Sequence, residues 1–177
     1  MAIPDGMALG QTALDRFEII QLCLRPHWIY DHDTWDDLDE VFTDPLSMPT
    51  VSQVAEPSFD PEDYLDDYLV ARAQMSRGME MFKAGLLTQH LVAGHHVELR
   101  GDAAVCWAHS VNIHFPASDV RGETLLAHGN EYRFDCVRTA DGWRIRGWAP
   151  TVRWSYGNET SHDALAKSQA WLDSTAG

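Results

Sequence analysis

The chain has 177 residues, 45% of them hydrophobic, with 7 Trp, 6 Phe and 5 Tyr, enough for one core or roofed pocket. A single domain over residues 1–177 is expected, with 1–11 flexible and 158–177 a tail or lid. A formal charge of −14 with no Lys/Arg cluster repels phosphate backbones and disfavours nucleic acid as a partner.

Cys23, Cys106 and Cys136 are odd in number, widely spaced and without a C-x-x-C element. They encode neither a disulfide framework nor a zinc ribbon, and read as small buried hydrophobes. Met1 to Gly10 has no basic start or long apolar run, and no segment reaches the roughly 18 apolar residues of a membrane span. A soluble cytoplasmic protein with no membrane partner is expected.

The first helix is expected near Thr12, with Thr12 as N-cap and Asp15 three residues on. Leu14, Phe17, Ile20, Leu24 and Trp28 then recur at helical spacing, and Pro26 either kinks that helix or forces its last turn to be remade. Asp31 to Leu38 reads as a turn opening a second short helix, its acids near the positive N-terminal end. Residues 44–58 hold Pro45, Pro49 and Pro57 and read as a loop. Asp60-Pro61 marks the next helix start, placing Tyr64, Tyr68, Ala71 and Met75 on one face. Met75, Met79 and Met81 follow. Thioethers fill irregular cores and also line pockets for flat apolar ligands, and core is the commoner role for any one of them.

From Thr88 the period changes to two. His90, Val92, Gly94 and His96 share one face of a strand that ends at the turn Arg100-Gly101-Asp102. A second strand, Ala103 to about Phe115, puts Val105, Trp107, Val111 and Ile113 on one face and Cys106, Ala108, Ser110, Asn112 and His114 on the other. A third runs from about Thr124 to Thr139, and a fourth from Trp143 to Trp154 after the turn Ala140-Asp141-Gly142. Helices followed by a long antiparallel meander predict an α+β domain with helices on one face of a curved sheet. Ser161 to Leu172 reads as a short amphipathic helix, either a lid or a frayed tail. Trp107 and Trp148 are candidates for an exposed face in a homo-oligomer, dimer or trimer.

The chemistry-bearing residues are His90 and His114 on strands and Tyr30-Asp31 far upstream. An imidazole can take or give a proton near neutral pH, and a carboxylate beside an imidazole holds it in one tautomer. A metal site is disfavoured: His95 and His96 are adjacent and point to opposite faces of a strand, and His90 and His96 lie too far apart along theirs. His27, His32, His109, His128 and His162 show no spacing for a joint role, although His128 lies near Asn130. No G-x-S-x-G elbow, Cys–His pairing or phosphate-cradling glycine loop is present.

Tyr30-Asp31-x-x-x-Trp35, then Thr88-Gln89-His90, then His114, then Pro150-Thr151-Val152-Arg153-Trp154 resembles the scytalone dehydratase-like and SnoaL-like proteins of the nuclear transport factor 2-like superfamily, over most of residues 12–157. That superfamily also holds polyketide cyclases and ketosteroid isomerases. The resemblance implies a cone-shaped α+β roll, cystatin-like, around a deep, mostly apolar pocket that takes a cyclic or aromatic small molecule without a cofactor. It implies His90 as the residue that removes the proton α to a carbonyl. It implies His114, hydrogen-bonded to Asp31, as the partner imidazole, and Tyr30 as the group that polarises the carbonyl directly or through a water. Asn130, Met75, Met79 and Tyr68 are the expected substrate contacts. The implied activity is a lyase of secondary metabolism that expels water from the β position of a polyketide-derived ketone. The alternatives are a cyclase or double-bond isomerase using the same groups, and a non-catalytic binding or assembly module. One departure stands out: the family's second carbonyl-polarising tyrosine is missing, since residues 44–58 contain no tyrosine. This implies a related reaction on a substrate other than scytalone.

Overall fold

The computed structural model describes residues 6–49, 64–66, 68–117 and 125–157. The expected helix start at Asp60-Pro61, the C-terminal helix at 161–172 and His162 lie outside these residues. The chain opens with the long helix α1 (Gly6–His32) and a 3₁₀ turn (Trp35–Glu40), followed by β1 (Phe42–Ser47), β2 (Leu69–Val70) and helix α2 (Arg72–Lys83). Four long strands complete it: β3 (Leu86–Arg100), β4 (Ala103–Pro116), β5 (Leu126–Thr139) and β6 (Gly142–Gly157). The six strands form one sheet in the order β2-β1-β6-β5-β4-β3. The predicted α+β class and the meander from β3 to β6 are what the structure contains. The sheet is mixed, however, and not wholly antiparallel, because β1 runs parallel to β6. The stretch from Asp44 to Ser58, read as loop, supplies the last four residues of that strand, Asp44 to Ser47.

Helix α1 begins six residues before Thr12, so residues 6–11 are helical where a flexible end was expected, and it carries Pro26 inside it without a break. Its inward face also differs from the expected one. Asp15, Ile19, Leu22, Cys23, Pro26, His27 and Tyr30 are buried, while Leu14, Phe17 and Trp28 are exposed. Apolar side chains occupy both faces of this helix, so periodicity alone could not choose between them. The polar members of the buried face are instead satisfied or positioned by the sheet. Asp15 pairs with Arg138 at 2.7 Å, and the Trp143 indole lies 3.4 Å from its Oδ1. The Arg138 contact, outweighing burial, holds the Asp15 carboxyl below its ordinary range.

Two-residue connections close the β3–β4 hairpin at Gly101-Asp102 and the β5–β6 hairpin at Ala140-Asp141, as the turn signals predicted. The alternation predicted for β4 holds: Ala104, Cys106, Ala108, Ser110, Asn112 and His114 are all buried. On β3 it breaks. A bulge lies between Ala93 and His96, with Gly94 at a positive φ of 70°, and the extra residue shifts every later side chain to the other face. His96 therefore points outward and packs on Trp107, with ring centroids 5.7 Å apart, and does not share a face with His90.

The core lies between α1, α2 and the concave face of the sheet. Its largest buried side chains include Ile19, Ile29, Leu38, Phe42, Met75, Phe134 and Ile145, each contributing about 1.5–3 kcal/mol by leaving water. Cys23, Cys106 and Cys136 are free and buried there, as expected. Trp148 is not at an outer interface: it stacks on Phe42 at 5.7 Å and packs against the core. Tyr68, expected on a helix, precedes β2, and α2 begins only at Arg72.

Candidate active site

The last turn of α1 meets the first half of β3, and there Asp31 binds His90. Asp31 Oδ1 lies 2.7 Å from His90 Nδ1 and accepts from Thr88 Oγ1 at 2.8 Å, while Oδ2 accepts from the His90 backbone N–H at 2.8 Å. Thr88 and His90 can both reach one carboxylate because residues two apart on a strand share a face. Burial would raise the Asp31 carboxyl, but these bonds, led by the His90 side chain, outweigh it and pull it down to about 2. The carboxylate thus fixes one tautomer: Nδ1 carries the proton toward Asp31, and Nε2 presents a lone pair. The backbone behind Asp31 is held too. Lys83, at the end of α2, is buried; its ammonium donates to the carbonyls of Tyr30 and Asp31 and pairs with Asp33 at 2.9 Å. A cation here satisfies the carbonyls that a helix C-terminus leaves without intrahelical partners.

The predicted pairing of Asp31 with His114 is therefore corrected: the carboxylate bonds to His90. The reason is register. His114 lies opposite Thr88 and is packed edge-on to Phe82 at 5.7 Å, with the same 5.7 Å separating its centroid from that of His90. Among the described residues, neither of its ring nitrogens has a hydrogen-bond partner. Burial, reinforced by His90 and His128, pulls it down to about 3 and keeps it neutral. Tyr30 places its ring 5.3 Å from that of His90 and 5.5 Å from that of Trp35. Its hydroxyl is buried without a partner among the described residues, and burial holds it firmly protonated.

A cavity of about 860 Å³ opens between α1 and strands β3 to β6, within the range of small-molecule sites. Asp31, His90 and Asn130 line it. Tyr30 and His114 do not, and flank His90 from the side of Phe82 and Trp35. Of the expected substrate contacts, Met75 is in the core, and Met79 and Tyr68 pack against it; none of the three lines the cavity. Trp28 and Trp154, both about half exposed or more, stand on its wall. Gly129 makes room for the second of these, because a Cβ there would collide with the Trp154 indole.

Sequence reasoning missed His27 and Ser110. His27 lines the cavity with its centroid 5.3 Å from that of His90 and 4.8 Å from that of Tyr132. The signal available was its four-residue spacing to Asp31, which puts both on one helix face. Ser110 lies directly opposite Asn130 across β4 and β5. Tyr132, beside them, accepts from Asn112 Nδ2 at 2.8 Å. Among the described residues, no three His, Cys, Asp or Glu side chains are disposed to hold one metal ion.

Comparison with known proteins agrees with this architecture. Residues 11–149 match the SnoaL-like domain family. The Kfla4162 protein from Kribbella flavida superposes with a TM-score of 0.71 at 26% identity, over 87% of this chain and 99% of that one. A proposed scytalone dehydratase from Novosphingobium aromaticivorans superposes with a TM-score of 0.66 at 9% identity, covering 85% and 91%. An NTF2-like protein with a cystatin-like fold from the same organism gives 0.63 at 19%, covering 93% and 98%. The latter two likenesses speak for the fold alone. No curated protein matches the chain. With four-fifths of its length inside the family's bounds and the helices and curved sheet of the NTF2-like fold around its cavity, the chain belongs to the SnoaL-like domain family.

Proposed function

We propose that this protein is a hydro-lyase acting on a cyclic, polyketide-derived ketone, with the Asp31–His90 pair as its proton-transfer centre. The observation that carries the reading is the 2.7 Å contact between Asp31 Oδ1 and His90 Nδ1 on the wall of a cavity large enough for a small ring system. In the proposed reaction His90 Nε2 takes the proton α to the ketone, and the electron pair of the broken C–H bond forms the enolate. The enolate collapses to the enone as the β carbon–oxygen bond breaks, and His90 returns its proton to the departing hydroxide, so one water leaves and no electrons are gained or lost. Asp31 offsets the positive charge on the ring while it holds the proton. Tyr30, a firmly protonated donor beside His90 whose hydroxyl has no partner among the described residues, supplies the hydrogen bond to the developing enolate oxygen through a water, since it stands off the cavity wall. His114 stays neutral beside His90, off the cavity wall.

The test is mass spectrometry of β-hydroxy cyclic ketones incubated with the protein and with His90→Ala. Loss of one water is expected, slowed about 10²–10⁴-fold in the variant. A product of unchanged mass would move the activity to cyclisation or isomerisation by the same groups. Equal saturable binding by both proteins without conversion would make the chain a binding module.

A further inference from the structure

Among the described residues β3 is an edge strand, with β4 on one side and no strand on the other. In an antiparallel pair, the backbone groups of every second residue face the partner strand and those of the residues between turn away from it. Two bonds fix which are which. The Ala117 N–H donates to the Gly85 carbonyl at the start of the β3–β4 pair, and the His90 N–H, turned the other way, donates to Asp31 Oδ2. Gln89 and Leu91 thus spend their N–H groups on β4, while Thr88, His90 and Val92 aim theirs at the open edge.

Helix α1 closes that edge at two places. Asp31 takes the His90 N–H, and the Arg16 guanidinium donates to the Val97 carbonyl. Helix and strand each rise about 20–23 Å between these anchors, so they run side by side in opposite directions. Between the anchors the edge forms the cavity wall, where Val92 stands with Leu24, His27 and Trp28 of α1. Among the described residues nothing accepts from the Val92 N–H. His27, level with it on α1, turns its ring edge-on to Tyr132 at 4.8 Å, and neither of its nitrogens bonds to the strand.

Resting on the reading of this cavity as the place of proton transfer, we propose that the Val92 backbone N–H is the direct hydrogen-bond donor to the substrate carbonyl and to the enolate oxygen that forms from it. It takes the place of the family's second tyrosine, which residues 44–58 lack, while the Tyr30 phenol acts through a water.

Val92 is the next outward residue after His90, about 6–7 Å along the edge. The His90 ring is drawn toward the same edge, because its Nδ1 and its own backbone N–H share the Asp31 carboxylate. Nε2 and the Val92 N–H therefore face one volume. A ketone that accepts from Val92 brings the carbon next to its carbonyl toward Nε2. When the C–H bond breaks, charge moves onto the oxygen, and a donor held by the strand meets it without reorganisation. The N–H keeps its own proton throughout, so the balance of the reaction is unchanged. A carboxylate is a poor guest, since Asp31 and the outward carbonyls of His90 and Val92 stand along the same edge.

The experiment replaces the amide between Leu91 and Val92 by an ester, through incorporation of the hydroxy-acid analogue of valine, which removes this N–H and keeps every side chain. The probe is β-tetralone, isotope-labelled at its carbonyl carbon. Infrared difference spectra read the polarisation of the bound ketone, and exchange of its α protons in heavy water, followed by NMR, reads His90. In the wild-type chain the carbonyl band is expected to move to lower frequency on binding. In the ester chain that shift should be lost and exchange should fall by about 10²-fold. In His90→Gln exchange should stop and the shift remain. Val92→Pro removes the same N–H a second way. Proline is tolerated at an edge position whose N–H faces away from the ladder, so this variant should fold and repeat the loss, whereas Leu91→Pro, which breaks a bond to β4, should melt at a much lower temperature. Equal destabilisation by the two prolines would put the Val92 N–H in the ladder and overturn the proposal, as would an unshifted band in the wild-type chain or an undiminished shift in the ester chain. The two readings fail separately. A shift lost in the ester chain, with no exchange or water loss that depends on His90, removes the hydro-lyase and leaves the donor; exchange that depends on His90 and ignores the ester removes the donor alone.

Discussion

Asp31 receives three hydrogen bonds on two oxygens, two of them from His90, and this determines what its replacement does. An asparagine can keep its oxygen where Oδ1 stands, facing Thr88 and the His90 ring, but its amide NH₂ then meets the His90 backbone N–H. Two donors face each other where a donor met an acceptor, at a cost of about 1–3 kcal/mol. The charge that offsets a protonated His90 is also gone. Asp31→Asn is expected to lower kcat for water loss by about 10²–10⁴-fold while the far-ultraviolet circular dichroism stays native. A turnover number within a few-fold of wild type would show that His90 works without its carboxylate. The four residues first suspected were visible because imidazoles, a carboxylate and a phenol are the side chains that move protons near neutrality. Which imidazole the carboxylate holds was not visible. Thr88 and His114 are register partners, and only the position of the α1 C-terminus against β3 decides the pairing.

At the scale of elements, the site depends on one junction, the end of α1 held by the end of α2. Lys83 makes it, through the carbonyls of Tyr30 and Asp31 and the Asp33 carboxylate. Lys83→Met keeps the length and apolar stem of the side chain but leaves those carbonyls without their donor. It should destabilise the protein by about 1–3 kcal/mol in urea unfolding and reduce turnover, since Asp31 loses its backbone anchor. Unchanged unfolding midpoint and turnover would mean that α2 plays no part in holding the site. Nothing in the run Met79-Glu80-Met81-Phe82-Lys83 announces this role. The lysine acts through a contact 52 residues away in sequence, and local spacing carries no trace of it. The β3 bulge is half legible. Gly94 marks a place where the strand can take a positive φ, but the glycine alone does not say that the register shifts there, and the prediction for His96 failed for that reason.

The whole molecule encloses neutral imidazoles, and this sets its response to acid. His27 and His114 are both pulled from 6.5 down to about 3, mainly by burial. Between those values the unfolded chain binds protons that the folded chain refuses, so stability falls as pH drops through that window. Asp31 adds to the loss lower down. Its folded value of about 2 lies below the ordinary 3.8, so its contribution is complete above that ordinary value and disappears as pH falls through about 2. Melting temperatures measured from pH 7 to pH 4 should decline steadily, and His114→Phe, which cannot titrate, should decline less steeply. Parallel curves for the two proteins would show that His114 is not buried neutral.

Residue chemistry and periodicity were enough for the α+β class, the long hairpins, the buried face of β4 and the two imidazoles, carboxylate and phenol that meet at the end of α1. Each of these follows from side-chain type and from neighbours a few residues away. The inward face of α1, the parallel β1, the bulge in β3, the Asp31–His90 pairing and the arrival of His27 beside Ser110 and Asn130 came only with the folded chain. They depend on how one element rotates and slides against another, and that is decided by packing across the whole core, where contacts between distant residues outweigh the weak preference of any short segment.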